Sequence, residues 1–336
     1  MAKYNIKLEA NADKVATRKS FGEALVKMGE KYKNLVVLDA DLSCSVQTAK
    51  FAELNPERHY NMGIAEQNMI GAAAGMATGG KIPFACTFSM FATGRPWEII
   101  RNSVCYSNLN VKILGSHVGV LTGEDGASHQ ALEDMAIMRV LPNMKVVHPA
   151  DHAETLSVMQ KMMEDFGPTY LRVNRQGTAK IYSGAGEGEG AAAVDFEFGK
   201  SDVVFGAEDG ELPKKVDVCV FACGALVASS MYACAKLVDE GKSCLVVNVS
   251  SIKPIDSETI LDCASRAGVC VTAEDHNIIG GLGGAVSEVL AGEGVGVKLV
   301  RIGMEDKFGE SGTSADLYKK YGFDADGVYA SLKKLV

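Results

Sequence analysis

The sequence predicts an α/β protein built as two doubly wound α/β domains, and three observations carry that expectation. Short β-branched runs alternate with helix-period segments along the whole chain, the pattern of mainly parallel sheets covered by helices. The 336 residues, 47% of them hydrophobic, can bury more than one core usually organises, which suggests two domains. Between the two α/β stretches lies 183–193, SGAGEGEGAAA, whose small, polar, glycine-rich composition is that of a linker. The expected division is a first domain at 1–182, a linker at 183–195 and a second domain at 196–336.

In the first domain, strands are expected at Leu35–Leu38, Ile82–Thr87, Val111–Gly115, Lys145–His148 and Thr169–Val173. The intervening helices fall near Lys19–Tyr32, Ala65–Ala77, Trp97–Ser107 and Ala153–Glu164, and Phe21, Leu25 and Met28 recur at helical spacing, so they should face a sheet. In the second, strands at Val216–Ala222, Cys244–Val249, Val269–Ala273 and Val297–Ile302 alternate with helices at Leu226–Asp239, Ser257–Ala267, Gly284–Ala291 and Ala325–Leu335.

Composition narrows the function classes. A net charge of −8 without a long basic run argues against nucleic acid and anionic membranes as partners. The first 20 residues lack an apolar signal core, and no apolar run approaches the roughly 18 residues that span a bilayer. The nine cysteines are odd in number, lie mostly in apolar segments and form no C-x-x-C pair, so they read as buried hydrophobes in a reducing cytoplasm. No metal site is expected in this chain.

Two segments carry chemistry. Gly63-Ile-Ala-Glu66-Gln-Asn-Met69 runs into an apolar, glycine-rich helix, and a carboxylate there is costly unless it has a task. Gly115–His129 places His117, Asp125 and His129 in one glycine-rich loop after a strand, where α/β folds put ligands. Two imidazoles beside a carboxylate suit a polyhydroxylated substrate and proton transfer; a polar surface loop with incidental histidines would read the same way. Gly281-Leu-Gly283-Gly-Ala-Val286 begins like a dinucleotide fingerprint but ends in Val286, so close helix–strand packing accounts for it better. His148 and His152 are separated by Pro149, which marks a helix start and not a metal pair.

Taken with Thr87-Phe88 and Gly123-Glu-Asp-Gly126, the Glu66 segment and His129 resemble the pyrimidine-binding domain of transketolases. Val15-Ala-Thr-Arg18-Lys19, Asp39-Ala-Asp41-Leu42 with Ser45, Leu141-Pro-Asn143, His148-Pro-Ala-Asp151 and Glu274-Asp-His-Asn-Ile-Ile-Gly-Gly281 extend the resemblance, in order, over nearly the whole chain. It implies a thiamine-diphosphate-binding pyrimidine domain followed by a transketolase C-terminal domain. Glu66 would be catalytic, hydrogen-bonding the cofactor's aminopyrimidine as a proton donor, a form that the apolar neighbours Ile64, Met69 and Ile70 would favour. Phe88 and Phe91 would pack on that ring, although for either one ordinary core packing is the plain alternative. Asp41 would lie near the cofactor at a subunit contact; a turn aspartate would look the same. Arg18, Ser45, His117 and Arg175 would bind a sugar phosphate, Asp125 the hydroxyl beside the carbonyl carbon, and His129 a neighbouring oxygen, with His117 and His129 also counted as catalytic. Singly, each arginine would pass for a solvated surface residue.

The family's diphosphate motif, Gly-Asp-Gly followed by paired asparagines, is missing from the chain. The resemblance therefore implies a companion N-terminal subunit that holds Mg²⁺ or another divalent ion and the diphosphate, with two copies of each chain assembled about a two-fold axis. The implied reaction is two-carbon ketol transfer from a ketose phosphate to an aldose phosphate. A deoxyxylulose-phosphate synthase-like subunit, an oxo-acid dehydrogenase E1 β-like subunit and a non-catalytic scaffold stay open as alternatives.

Overall fold

The computed structural model describes residues 6, 8, 14–182, 194–208 and 210–336, so the expected linker at 183–193 lies outside the described residues. The chain begins with Val15–Ala16 (β1), Thr17–Lys31 (α1), Leu35–Asp39 (β2), Ser43–Val46 (α2), Ala49–Leu54 (α3), His59–Asn61 (β3) and Glu66–Thr78 (α4). Ile82–Phe88 (β4), Ser89–Thr93 (α5), Trp97–Ile99 (α6) and Lys112–Ser116 (β5) follow. Asp134–Arg139 (α7), Lys145–Val147 (β6), His152–Glu164 (α8), Thr169–Val173 (β7) and Gly177–Thr178 (β8) complete the first half. The second half contains Asp202–Phe205 (β9), Val216–Ala222 (β10), Leu226–Asp239 (α9), Cys244–Asn248 (β11), Ser251–Lys253 (β12) and Ser257–Arg266 (α10). It closes with Ala267–Asn277 (β13), Leu282–Gly292 (α11), Leu299–Met304 (β14), Ser314–Tyr321 (α12) and Ala325–Lys333 (α13).

A seven-stranded sheet has the order β12-β6-β7-β5-β4-β2-β3, and a five-stranded sheet the order β14-β13-β10-β11-β9. Pairing is parallel except at the edges β12 and β9, which run antiparallel to their neighbours. Both sheets are thus doubly wound, and their central strands are buried and mostly apolar, as such sheets require. Phe21, Leu25 and Met28 of α1 are buried against the first sheet, as their spacing predicts. The helix starts follow from capping: Asp151, Asp256 and Asp324 each accept a hydrogen bond from a backbone N–H of the first turn of α8, α10 and α13.

Three features depart from the expectation. The segment expected as one helix at Trp97–Ser107 is α6 followed by a π-helical turn over Ile100–Cys105. Strand β13 runs four residues past its expected end, to Asn277, carrying Glu274, Asp275 and His276 into the interior. Strand β12 crosses from the second half to pair with β6, so the halves share a sheet; three residues are too few to show a period.

Where the halves meet, Arg172 of β7 is fully buried and forms an ion pair with Asp134 of α7, Nε to Oδ2 at 2.7 Å. Its Nη2 also donates to the carbonyls of Ala131 and Asp275, at 3.1 and 2.9 Å. Tyr170 donates to the same Asp134 oxygen at 2.6 Å, and Ser89 at 3.0 Å. Burial alone would raise the Asp134 carboxyl, but Arg172 and then His276 outweigh it and hold it at about 2. Removing one partner of such a pair strands a buried charge. Asp134→Ala is expected to cost about 3–5 kcal/mol, read as a lowered urea-unfolding stability with the second half destabilised together with the first.

Candidate active site

The site forms where parallel strands of the seven-stranded sheet end, the usual ligand position of doubly wound folds. The turn after β2 carries Asp41 and leads into α2 with Ser45, β4 ends at Phe88, β5 is followed by His117 and β7 by Arg175. Residues scattered from Arg18 to Arg175 in sequence are gathered by this topology, with α1 entering beside β7 through the Arg18 N–H to Asn174 carbonyl bond.

An aromatic slot lies at its centre. The rings of Phe88 and Phe91 are stacked with centroids 6.4 Å apart and 23° between planes. His117 packs on Phe88 at 3.9 Å between centroids, and His129 turns its edge to Phe91 at 5.2 Å. Glu66 opens α4 with only 3% of its surface exposed. Its two carboxylate oxygens accept hydrogen bonds from Nη1 of Arg95 at 3.0 and 2.9 Å, and the Arg95 guanidinium sits 4.4 Å over the Phe91 ring. The expected apolar surroundings of Glu66 are therefore corrected. Met69 and Ile70 are buried, but Ile64 is 75% exposed and a guanidinium faces the carboxylate. In this conformation Glu66 accepts and does not donate. The seat already takes a planar, nitrogen-bearing cation between a phenylalanine face and a carboxylate, so its shape and chemistry fit an aminopyrimidine ring.

Beside the slot is a basic mouth. Arg18 donates from Nη1 to the Ser45 carbonyl at 2.8 Å and from Nε to the Arg175 carbonyl at 3.2 Å, which draws three of the expected phosphate-binding residues together. Arg175 is engaged by Glu124 at 2.8 Å and by the Thr122 carbonyl. Glu124 is a carboxylate of the Gly-Glu-Asp-Gly turn to which the sequence assigned no role. Asp125 is exposed on the same turn, and Asp41, also exposed, takes a positive φ of 60° and accepts from Asn61 Nδ2 at 2.9 Å, the behaviour of a turn aspartate.

The second half shapes the loop that follows β5. Asp275 accepts from the N–H groups of Val120 and Leu121, at 2.9 and 3.4 Å, and from Tyr318 Oη at 3.1 Å. Gly119 takes a φ of +60°, and a Cβ there would meet the Asp275 carboxyl at about 2.2 Å, so glycine is required. Ser314 at the start of α12 donates to the Leu121 carbonyl at 3.0 Å. The Gly281–Gly283 turn is equally explained by packing: Glu274 caps α11 by accepting from the N–H groups of Leu282 and Gly283, both at 2.7 Å. His152 begins α8 and its Nδ1 meets Ser20 Oγ at 2.9 Å, whereas His148 is buried with Nδ1 3.4 Å from Arg172 Nη1.

Sequence reasoning missed Arg95, because an arginine in a Gly-Arg-Pro turn reads as surface, and the Asp39–His59 pair at 2.7 Å behind the Asp41 turn. It quoted Asp275 within a motif, but only the fold shows what it holds.

His117 is buried at a φ of +60° with Nδ1 2.9 Å from Ser116 Oγ. Burial, then the positive Arg18 and Arg175 and the neighbouring His129, push its imidazole down to about 3, so it is neutral near pH 7. Because the folded protein binds fewer protons at this site than the unfolded chain, the linked stability is complete above about pH 6.5 and is lost as pH falls toward 3. His117→Asn is expected to flatten the fall in unfolding free energy between pH 6.5 and 4 by up to about 1.4 kcal/mol per pH unit, measured by urea titration at stepped pH.

Residues 13–180 match the family model described as transketolase, pyrimidine binding domain, and residues 211–328 match transketolase, C-terminal domain. A Methanocaldococcus jannaschii protein described as a transketolase C-terminal section is 50% identical over 311 residues, 93% of each chain. The 6-deoxy-6-sulfo-D-fructose transketolase subunit of Clostridium sp. (strain MSTE9) is 36% identical over 96% of this chain and 94% of its own. Rat transketolase is also 36% identical over 96% of this chain, which spans 49% of that enzyme's length. A solved structure described as a split-gene transketolase, an inactive beta4 tetramer, superposes with a TM-score of 0.84 at 47% identity, covering 96% of this chain and 98% of that one. The chain belongs to the transketolase family and corresponds to the C-terminal section of a split transketolase.

Proposed function

We propose that this chain is the C-terminal subunit of a thiamine-diphosphate-dependent transketolase that works with a separate N-terminal companion, two of each chain in the assembly. The family implies the cofactor, and the observation that carries the reading here is the seat formed by Glu66, Phe88 and Phe91, occupied in this conformation by a planar guanidinium. When bound, the cofactor would supply the nucleophilic carbon that carries the two-carbon unit. Glu66, freed from Arg95, would hold the ring nitrogen and supply its proton. Phe88 and Phe91 would fix the ring plane. His117, neutral near pH 7, and His129 would sit within reach of the substrate oxygens, with Asp125 binding the hydroxyl beside the carbonyl carbon and Asp41 at the subunit contact. The chain has no diphosphate motif, so the companion would hold the divalent metal and the charged end of the cofactor.

Arg18, Ser45 and Arg175 support a donor with a terminal anion. We assign it as a sugar phosphate, the dianion that two guanidinium groups match best; a relative that acts on a sulfosugar shows that a sulfonate is the near competitor. The Gly-Glu-Asp-Gly turn with His117 and His129 around it favours transketolase over the deoxyxylulose-phosphate synthase-like and E1 β-like readings, and a scaffold would need none of this set. We also infer a domain division at 182/196, and a reducing, cytoplasmic setting in which nine unpaired cysteines, eight of them buried, are at home. Among the described residues no helix is long and apolar enough to cross a membrane.

Glu66→Gln in the assembled complex is expected to lower kcat by about 100-fold or more while subunit stoichiometry on size exclusion is unchanged; near wild-type turnover would reject the role. Arg175→Ala is expected to raise KM for phosphorylated donors at least about tenfold and to leave their unphosphorylated analogues little affected; equal losses on both would remove the anion contact.

A further inference from the structure

Resting on the proposed cofactor seat, we infer that Arg95 is its built-in occupant, so that the cofactor's aminopyrimidine must displace this side chain in order to bind. Three features converge on one guanidinium. Its Nη1 touches both oxygens of Glu66, its plane covers Phe91 at 4.4 Å, and it is the group that shields a carboxylate whose own side chain is 3% exposed. A guanidinium and an aminopyrimidine share a flat π-system for the phenylalanine face and nitrogen atoms that hydrogen-bond the Glu66 carboxyl, the guanidinium as donor and the ring nitrogen as acceptor. Both need the same face and the same carboxyl, so they compete for one place.

The geometry also supplies a way out. The Arg95 side chain is 49% exposed, so it can swing to water, uncovering the Glu66 carboxylate as it leaves. Its backbone stays anchored, because Gln67 Nε2 donates to the Arg95 carbonyl at 3.3 Å, and Gly94 and Pro96 hold it in the bend between α5 and α6. Leaving this seat also frees both Glu66 oxygens for the incoming ring. An ion pair open to water on its guanidinium side and one ring contact together are modest, so displacement taxes affinity by about tenfold and does not forbid binding.

The test uses the full chain and a probe that reads only the ring seat: 4-amino-2,5-dimethylpyrimidine, titrated by ligand-observed NMR. Arg95→Ala is expected to bind it about tenfold more tightly than wild type, with Arg95→Lys between the two, and the gain should vanish when Phe91→Ala or Glu66→Gln is added. Binding that is equal in wild type and Arg95→Ala, yet sensitive to Phe91→Ala, would overturn the latch and leave the pyrimidine seat standing. Binding insensitive to Phe91→Ala, or absent from both proteins, would overturn the seat itself and the latch with it.

Discussion

The buried Arg172–Asp134 ion pair is the contact on which the rest of this structure depends. Arg172 lies on a central strand of the first sheet, Asp134 on the helix that follows the loop after β5, and Nη2 of the guanidinium also reaches the backbone of Ala131 and of Asp275. A charge in the interior is tolerable only when fully paired and hydrogen-bonded. Arg172 and Asp134 meet that condition only if the sheet, the loop and the second half stand in one arrangement. The same arrangement presents Asp275 to the N–H groups of Val120 and Leu121 and so sets the shape of the loop that leads to Asp125 and His129. Through Ser89 and Tyr170, which both meet Asp134, the network also reaches the residue next to Phe88.

From this frame the site acquires opposed electrostatic zones. Cations at Arg18 and Arg175 line the mouth, and burial together with those cations keeps His117 uncharged beneath them. The mouth is a place for an anion, and the slot is a place for a flat nitrogenous ring. Internal groups satisfy both: Glu124 engages Arg175, and Arg95 fills the space before Glu66. The lone chain is self-satisfied where a bound state would need those charges released. Such pairing within the chain avoids an unpaired carboxylate or guanidinium, which would otherwise be a liability.

Much of the fold was legible because long elements have periods. The five expected strands of the first half and the four of the second all occur, and the Phe21, Leu25 and Met28 face of α1 is buried. Short pieces such as β3, β9, β12 and α2 escaped, since three or four residues display neither period nor caps. The gathering of Arg18, Ser45, His117 and Arg175 was legible only through resemblance, because nothing in local sequence says that segments 27 or more residues apart converge. Arg95 was not legible at all. Its role depends on a side-chain direction set by the Gly94–Pro96 bend, and no propensity encodes that. The apolar setting expected for Glu66 failed for a related reason: Ile64 precedes the helix, and its neighbour relation in sequence did not survive as a contact in space.

In the proposed function this chain supplies the pyrimidine side of a thiamine site shared with a companion. The most direct test is to capture the full chain from its native extract, identify co-purifying chains by mass, and assay thiamine- and Mg²⁺-dependent ketol transfer by the complex and by each separated subunit. The account predicts a stoichiometric companion carrying Gly-Asp-Gly and paired asparagines, with activity in the complex and in neither part alone. A homo-oligomer that co-purifies with no such chain, or ketol transfer by this chain by itself, would contradict it.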